Sequence, residues 1–252
     1  MKLRRLRKDT LSGYTTFGCM WQKGRCGGHT SYRCTGPEGE EVPIQSRVTA
    51  YWPDGSVKWT AHTAESGLLG EEIEVLPAGA AVLSKGIGSK VGNILEKSAA
   101  AGEECVSGIS IEDDGIRLII NNGRYFIEID RVSDYLFDRI YTRKGETASK
   151  GRAVLQLEEP AQLDGYQAKV TKPYGGVVKE VELEEQGALQ CILKFTGCHR
   201  NKDGIEKIPY VIRMRVNWDC PTLHFTHTFL YDGDEDRDFL KGLGIVFEVP
   251  LS

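Results

Sequence analysis

Two turn signals constrain this chain more than anything else in it. Trp52-Pro53-Asp54-Gly55 and Asn122-Gly123 each stand between runs whose apolar and polar residues alternate. A period of two suits a strand with one buried face and does not suit a helix. Around the first signal, Val42 to Tyr51 and Val57 to Glu65 read as a hairpin, with Pro suited to the second and Gly to the fourth position of a type I turn. Alternation puts Val57, Trp59 and Ala61 on one face and Lys58, Thr60 and His62 on the other, so the second face is expected to be polar and wet. Around the second signal, Ile116 to Ile120 and Arg124 to Asp130 flank a dipeptide suited to a two-residue type I′ turn, because both residues accept positive φ.

Further strands are expected at Ala153–Leu157, Val177–Leu183, Leu189–Phe195, Ile208–Val216, Thr222–Tyr231 and Gly244–Val249. Gly accounts for 29 of 252 residues, and turn residues separate these runs. The fold class is all-β, with an antiparallel β-sandwich as the larger unit. The one helix-like window, Val91 to Ala101, follows the Gly-rich stretch 86–89 and reads as an interdomain connector. The expected division is a small β unit over 1–88, a linker over 89–105 and the sandwich over 106–252. In Ile208–Val216 one face carries Tyr210, Ile212, Met214 and Val216, while Arg213 and Arg215 share the other. The chain stops at Ser252 directly after a strand, which leads to the expectation that more chain follows in the intact protein.

Composition then excludes several functions. With 32 Lys and Arg against 36 Asp and Glu, the net charge of −4 offers no basic field to nucleic acid. No apolar run approaches the roughly 18–20 residues of a membrane-spanning helix. Five cations lie within Met1–Lys8, and Arg4-Arg5 resembles the start of a twin-arginine signal, but no apolar stretch follows, so a basic edge strand is the plainer reading. Seven cysteines without a Cys-x-x-Cys pair suit free thiols in a reducing compartment, and a cytoplasmic location is expected.

Most motif-like features dissolve on spacing. Gly86, Gly88 and Gly92 lack the dinucleotide-binding spacing and a surrounding βαβ unit. The acidic run Asp232, Asp234, Glu235, Asp236 and Asp238 has Arg237 where a calcium loop needs Gly and Leu243 where it needs Glu, so a solvated acidic loop is expected. No cofactor is therefore expected, with a nonstandard calcium site the one option left open. His224 and His227 point to opposite faces of a strand and cannot chelate one metal, and no four Cys and His residues have a recognised zinc spacing. His227 shares a face with Phe225, Phe229 and Tyr231, which reads as a hydrogen-bonded core or cleft histidine. No G-x-S-x-G elbow marks a hydrolase nucleophile.

Two features suit an acidic sugar. Arg213 and Arg215, roughly 7 Å apart on one face, can fork onto carboxylates, although a cross-strand Glu or Asp competes for them. Tyr51, Trp52, Lys58 and His62 combine aromatic faces with cations at the first hairpin, although a core Trp beside a tight turn explains part of that pattern.

Val42-Pro43-Ile44-Gln45-Ser46 leading into Ala50-Tyr51-Trp52-Pro53-Asp54-Gly55-Ser56-Val57-Lys58-Trp59 resembles the opening domain of exo-rhamnogalacturonan lyase-like proteins. Asn122-Gly123-Arg124-Tyr125-Phe126, Pro209-Tyr210-Val211-Ile212-Arg213 and His227-Thr228-Phe229-Leu230-Tyr231-Asp232-Gly233-Asp234 resemble the second domain of the same family. The resemblance implies an N-terminal RIFT-type β-barrel, a central β-sandwich and a following α/α toroid, with cleavage of pectic rhamnogalacturonan by β-elimination. The toroid would lie beyond Ser252, so the implied role of this chain is scaffold and substrate platform. No catalytic residue carries over. The implied partners are an acidic oligosaccharide or polysaccharide and a toroid domain or second copy, with Tyr51, Trp52, Lys58, His62, Arg213, Arg215 and His227 as substrate-binding candidates. A stand-alone carbohydrate-binding module and a purely structural module remain as alternatives.

Overall fold

The Pro53-Asp54-Gly55 turn closes by two backbone bonds, Trp52 N–H to Ser56 O (2.8 Å) and Gly55 N–H to Trp52 O (2.9 Å), with Gly55 at φ 81°. The computed structural model containing it describes residues 1–5, 13–78, 108–163 and 165–251. The expected linker over 89–105, the window Val91–Ala101 and the glycines at 86, 88 and 92 lie outside the described residues. The chain divides into two compact units, Met1–Gly108 with Gly187–Gln190, and Ile109–Gln186 with Cys191–Ser252.

The first unit has strands β1 (Lys2–Arg4), β2 (Tyr14–Met20), β3 (Ser31–Thr35), β4 (Glu41–Val42), β5 (Gln45–Tyr51), β6 (Val57–Glu65) and β7 (Glu72–Ala78). Two antiparallel sheets form, one ordered β1-β7-β3-β4 and one β2-β6-β5. Cys19, Val57 and Ala64 from the second sheet meet Cys34, Val42 and Val75 from the first in one core around Trp21. The basic start is an edge strand, as its charge suits.

The first hairpin departs from expectation in its faces. Thr60 and His62 are sealed in the core, whereas Trp59 is 38% exposed. A relay of hydrogen bonds makes this burial possible: Trp21 Nε1 donates to Thr60 Oγ1 (2.9 Å), Thr60 meets His62 Nε2 (2.7 Å), and His62 Nδ1 meets Ser46 Oγ (2.7 Å). A polar group with its partners in place costs little to bury, and alternation of hydropathy is blind to such pairing.

The second unit has β8 (Ser110–Asp113), β9 (Arg117–Asn121), β10 (Phe126–Asp130), β11 (Phe137–Thr142), β12 (Gly145–Leu163), β13 (Tyr166–Glu185), β14 (Gln190–Arg200), β15 (Glu206–Asn217), β16 (His224–Phe229) and β17 (Phe239–Glu248). Hydrogen bonding runs in the order β16-β15-β14-β13-β12-β11-β10-β9-β8, with β17 on β12. Leu118, Ile120, Ile127 and Ile129 from one end of that order share a core with Leu193, Phe195, Ile212 and Met214 from the other. Strands so far apart in a flat sheet cannot touch, so the sheet folds over itself into a two-layer sandwich. Tyr210, Ile212, Met214 and Val216 all face this core, as their alternation predicts. The long strands β12 and β13 carry expected short runs well past their apolar residues, because backbone pairing continues where the hydropathy pattern stops.

The second hairpin turns one residue later than expected. Asn122 and Tyr125 form its closing pair, Gly123 and Arg124 its centre, and only Gly123 has positive φ, at 92°. Asn122 is drawn inward instead: its Nδ2 donates to Asn217 O (3.0 Å) and Cys220 O (2.9 Å), while its Oδ1 accepts from the backbone of Arg124 and Tyr125 (both 3.0 Å). The six cysteines among the described residues are free and buried, consistent with the expected thiols.

Candidate functional site

Ile208 is the strained point around which a site assembles. Its φ of 51° is left-handed, a conformation that costs a β-branched residue about 1–2 kcal/mol. Three anchors hold it there: its N–H donates to Asp232 Oδ1 (2.8 Å), its carbonyl meets His199 Nδ1 (2.8 Å), and its side chain is buried with Leu155, Leu157 and Tyr174. Strain held this firmly in place marks functional sites more often than scaffolds.

The residue before it, Lys207, reaches across to Asp238 and Glu159. Its Nζ lies 2.8 Å from both Asp238 oxygens and 3.4 Å from Glu159 Oε1. Glu159 also accepts from Lys172 Nζ (2.9 Å) and from the Tyr174 hydroxyl. Burial alone raises the Glu159 carboxyl, but the bonds from Tyr174 and Lys172 and the nearby ammonium of Lys207 outweigh it and hold the group below its ordinary value. Burial likewise pulls Lys207 down, and its carboxylate partners more than restore it. Tyr174 is pushed well up, first by burial and then by its bond to Glu159, which keeps it a phenol.

Above this floor opens a pocket of about 300 Å³ lined by Glu159, Pro160, Lys207, Asp234, Arg237 and Asp238. It adjoins an open groove of about 690 Å³ lined by Pro160, Ala161, Gln162, Gln167, Ala168, Lys169 and Arg237, at the projecting end of the β12–β13 hairpin. Lys169 sits over the Phe239 ring at 4.1 Å. Arg237 belongs to both cavities and is exposed, and no ion pair engages it among the described residues.

The acidic run is thus more than a solvated loop. Asp238 is buried against Lys207, Asp232 caps Ile208, and Asp234 accepts from the backbone N–H of Asp236 (2.9 Å) and bonds through its own N–H to Asp238 Oδ2 (3.1 Å). An ammonium, supplied by the chain itself, occupies the Asp238 carboxylate.

The sequence-derived candidates fall elsewhere. Tyr51 is 55% exposed at the first hairpin. Trp52 beside it is half-buried, with its Nε1 tied to Trp21 O (3.0 Å) and its ring covered by Lys58 Nζ at 4.6 Å. His62 is enclosed, both nitrogens are engaged, and burial pushes it down to about 4, so it offers a ligand nothing. Arg213 is held by Glu184 in a fork of 2.6 and 2.7 Å, the cross-strand pairing that competed with a sugar carboxylate. Arg215 is half-buried on the same face, its Nε without a hydrogen-bond partner. His227 pairs with Ile212 and therefore lies on the opposite, core-facing side, 6.0 Å from the His199 ring and 5.7 Å from Tyr210. Burial and then the neighbouring His199 push His227 down.

Glu159, Tyr174, Lys207, Arg237 and Asp238 were not among the sequence-derived candidates. The one available signal was the acidic run itself, which spacing tests only as a metal loop.

Comparison with known proteins completes the description. Residues 109–252 match the family described as PcRGLX-like protein central beta sandwich domain, and residues 1–75 match PcRGLX-like N-terminal RIFT barrel domain. A curated Bacillus subtilis (strain 168) protein, "Uncharacterized protein YetA", is 24% identical over 237 residues, covering 94% of this chain and 25% of that protein. The chain therefore spans about a quarter of the length of that curated relative. Barrel and sandwich follow one another here in a single all-β chain, which belongs to the PcRGLX-like proteins.

Proposed function

We propose that this chain is the β-rich scaffold and substrate platform of a protein that degrades rhamnogalacturonan-type pectic glycan by β-elimination, and that the groove of the second unit holds the uronate-bearing strand. The observation that carries the reading is Arg237, a guanidinium with no ion pair among the described residues at the junction of two polar cavities. β-Elimination removes the proton α to a uronate carboxylate, so a cation must neutralise that carboxylate while a base takes the proton. Arg237 suits the first role in this reading, with Lys169, Gln162 and Gln167 as further polar groups lining the groove.

The base is another matter. Tyr174, held as a phenol, is a hydrogen-bond donor and not a proton acceptor. In this reading the elimination base belongs to a further domain, the toroid that the resemblance implies, and the chain's partners are an acidic glycan and that domain. The test is calorimetric titration of the chain with rhamnogalacturonan oligosaccharides beside an absorbance assay in the unsaturated-uronate band. Binding with a flat absorbance trace is expected. Rising absorbance overturns the platform reading in favour of a complete lyase, and no binding overturns the glycan reading.

An assembly role is the second reading. It is favoured by Val246, Phe247 and Val249, exposed apolar residues at the end of β17, since neighbouring apolar side chains left in water mark contact surfaces. Absence of glycan binding together with self-association on gel filtration would put it first.

A further inference from the structure

Three neighbouring strands of the sandwich set two imidazoles and a phenol side by side: His199 on β14, Tyr210 on β15 and His227 on β16. The His199 and His227 rings lie 6.0 Å apart, with Tyr210 at 5.0 Å from the first and 5.7 Å from the second, and Phe229 at 6.2 Å from His227. His199 is fully buried, and the Nε2 atoms of both histidines are sealed from solvent without a hydrogen-bond partner. Native structures leave few buried polar atoms unpaired, because an unmet donor or acceptor keeps its full desolvation cost. Two such atoms in one cluster call for a common ligand.

The state of these nitrogens narrows what that ligand is. His199 Nδ1 donates to Ile208 O at 2.8 Å. A carbonyl only accepts, so Nδ1 carries the proton and Nε2 presents a bare lone pair, the arrangement in which a histidine binds metal. Burial lowers both imidazoles and keeps them neutral, and the neighbouring His199 adds to the effect at His227. An ion held at about 2.0 Å by Nε2 stands about 3.2 Å from that ring's centre, so one ion can join rings whose centres lie up to about 6.4 Å apart. The observed 6.0 Å falls inside that limit and sets a wide angle between the two nitrogens at the ion.

Among the described residues no group of three or more His, Cys, Asp or Glu side chains is placed for a metal, so the two imidazoles stand as the whole protein ligand set. Zinc seeks four tetrahedral ligands, and calcium and magnesium seek oxygens. Monovalent copper accepts two nearly opposed nitrogens, and its single charge costs less to bury than a divalent one. We infer that His199 and His227 form a two-imidazole site for Cu(I), each binding through Nε2, with the Ile208 carbonyl orienting His199. Neither histidine lines the cavities that meet at Arg237, so metal binding and glycan binding succeed or fail independently.

The experiment is an anaerobic titration of the whole chain, isotope-labelled at its histidine ring nitrogens, with Cu(I) supplied as its acetonitrile complex and zinc chloride as the control ion. Ring-nitrogen shifts and competition with a chromophoric Cu(I) chelator are the readouts. Equimolar Cu(I) is expected to move Nε2 of His199 and His227 together and to leave His29, His62 and His224 in place. His227→Phe keeps an aromatic ring and removes an Nε2 that has no partner. It is expected to abolish the response of His199 and to weaken chelator-competed affinity at least about a hundredfold, whereas His224→Phe on the opposite face leaves both unchanged. Ring nitrogens that ignore Cu(I), as they would with a water bound between them, overturn the inference. So does copper held as tightly by His227→Phe, which would place it on the buried thiols, and so does an equal response to zinc. If His227→Phe does not fold, the ring-nitrogen shifts of the parent chain decide.

Discussion

The ammonium of Lys207 lies 2.8 Å from each carboxylate oxygen of Asp238, in a contact where Asp238 is 9% and Lys207 23% exposed at the side chain. Breaking one half of such a pair leaves a buried charge uncompensated. Lys207→Met is expected to destabilise the chain by about 2–3 kcal/mol, and adding Asp238→Leu to recover most of that loss. Urea denaturation of the two variants and the parent measures the difference. A double variant no more stable than the single one would show that Asp238 is not left stranded.

Arg237 and Arg213 are expected to separate cleanly in binding. Arg237→Ala should weaken an acidic oligosaccharide about tenfold to hundredfold, the range for a charge-assisted hydrogen bond to a carboxylate. Arg213→Ala should leave binding unchanged and cost at most about 1 kcal/mol in stability, because its partly exposed bridge to Glu184 is screened by solvent. Calorimetry on both variants decides which guanidinium meets the ligand.

Ile208 and Ile212 are both fully buried in β15, but only Ile208 has left-handed backbone. Glycine removes a buried side chain at either position and relieves backbone strain at one alone. Ile208→Gly should therefore cost about 1–2 kcal/mol less than Ile212→Gly. Equal losses in denaturant titrations would mean that the strain is not felt.

His62 sets a pH dependence of known sign. Burial lowers its folded value from 6.5 to about 4, so between those values the unfolded chain binds the proton and the folded chain does not. Its contribution is fully present above pH 6.5 and is lost as pH falls toward 4, by about 3 kcal/mol in all. His199 and His227 are shifted in the same direction. His62→Gln should lower stability at neutral pH and flatten the acid-side slope by up to one proton. An unchanged slope would show that His62 protonates alike in both states.

Asn122→Ala should be among the most damaging single changes in the sandwich. It deletes a side chain that donates to Asn217 O and Cys220 O and accepts from two backbone amides, leaving buried groups unpaired at about 1–3 kcal/mol each. A loss below 1 kcal/mol in thermal or denaturant unfolding would mean that water replaces those bonds.

Two hairpins, an all-β architecture and the core face of β15 were legible in the sequence, because turn residues and a period of two act over a few neighbouring positions. The same local rules misassigned the faces of β6 and the centre of the second turn. In both places a polar side chain goes inward because partners distant in the chain satisfy it: Trp21 and Ser46 for Thr60 and His62, Asn217 and Cys220 for Asn122. The cleft is further still from local rules. Glu159 and Lys207 come from strands β12 and β15 and Asp238 from the loop before β17, which only the folded chain brings within bonding distance, and the left-handed backbone at Ile208 next to Lys207 has no signature in a β-branched residue. Sequence by itself located the two hairpins and most strands of the sandwich, since those are decided between neighbours. Which charges pair with one another was decided by tertiary contacts alone.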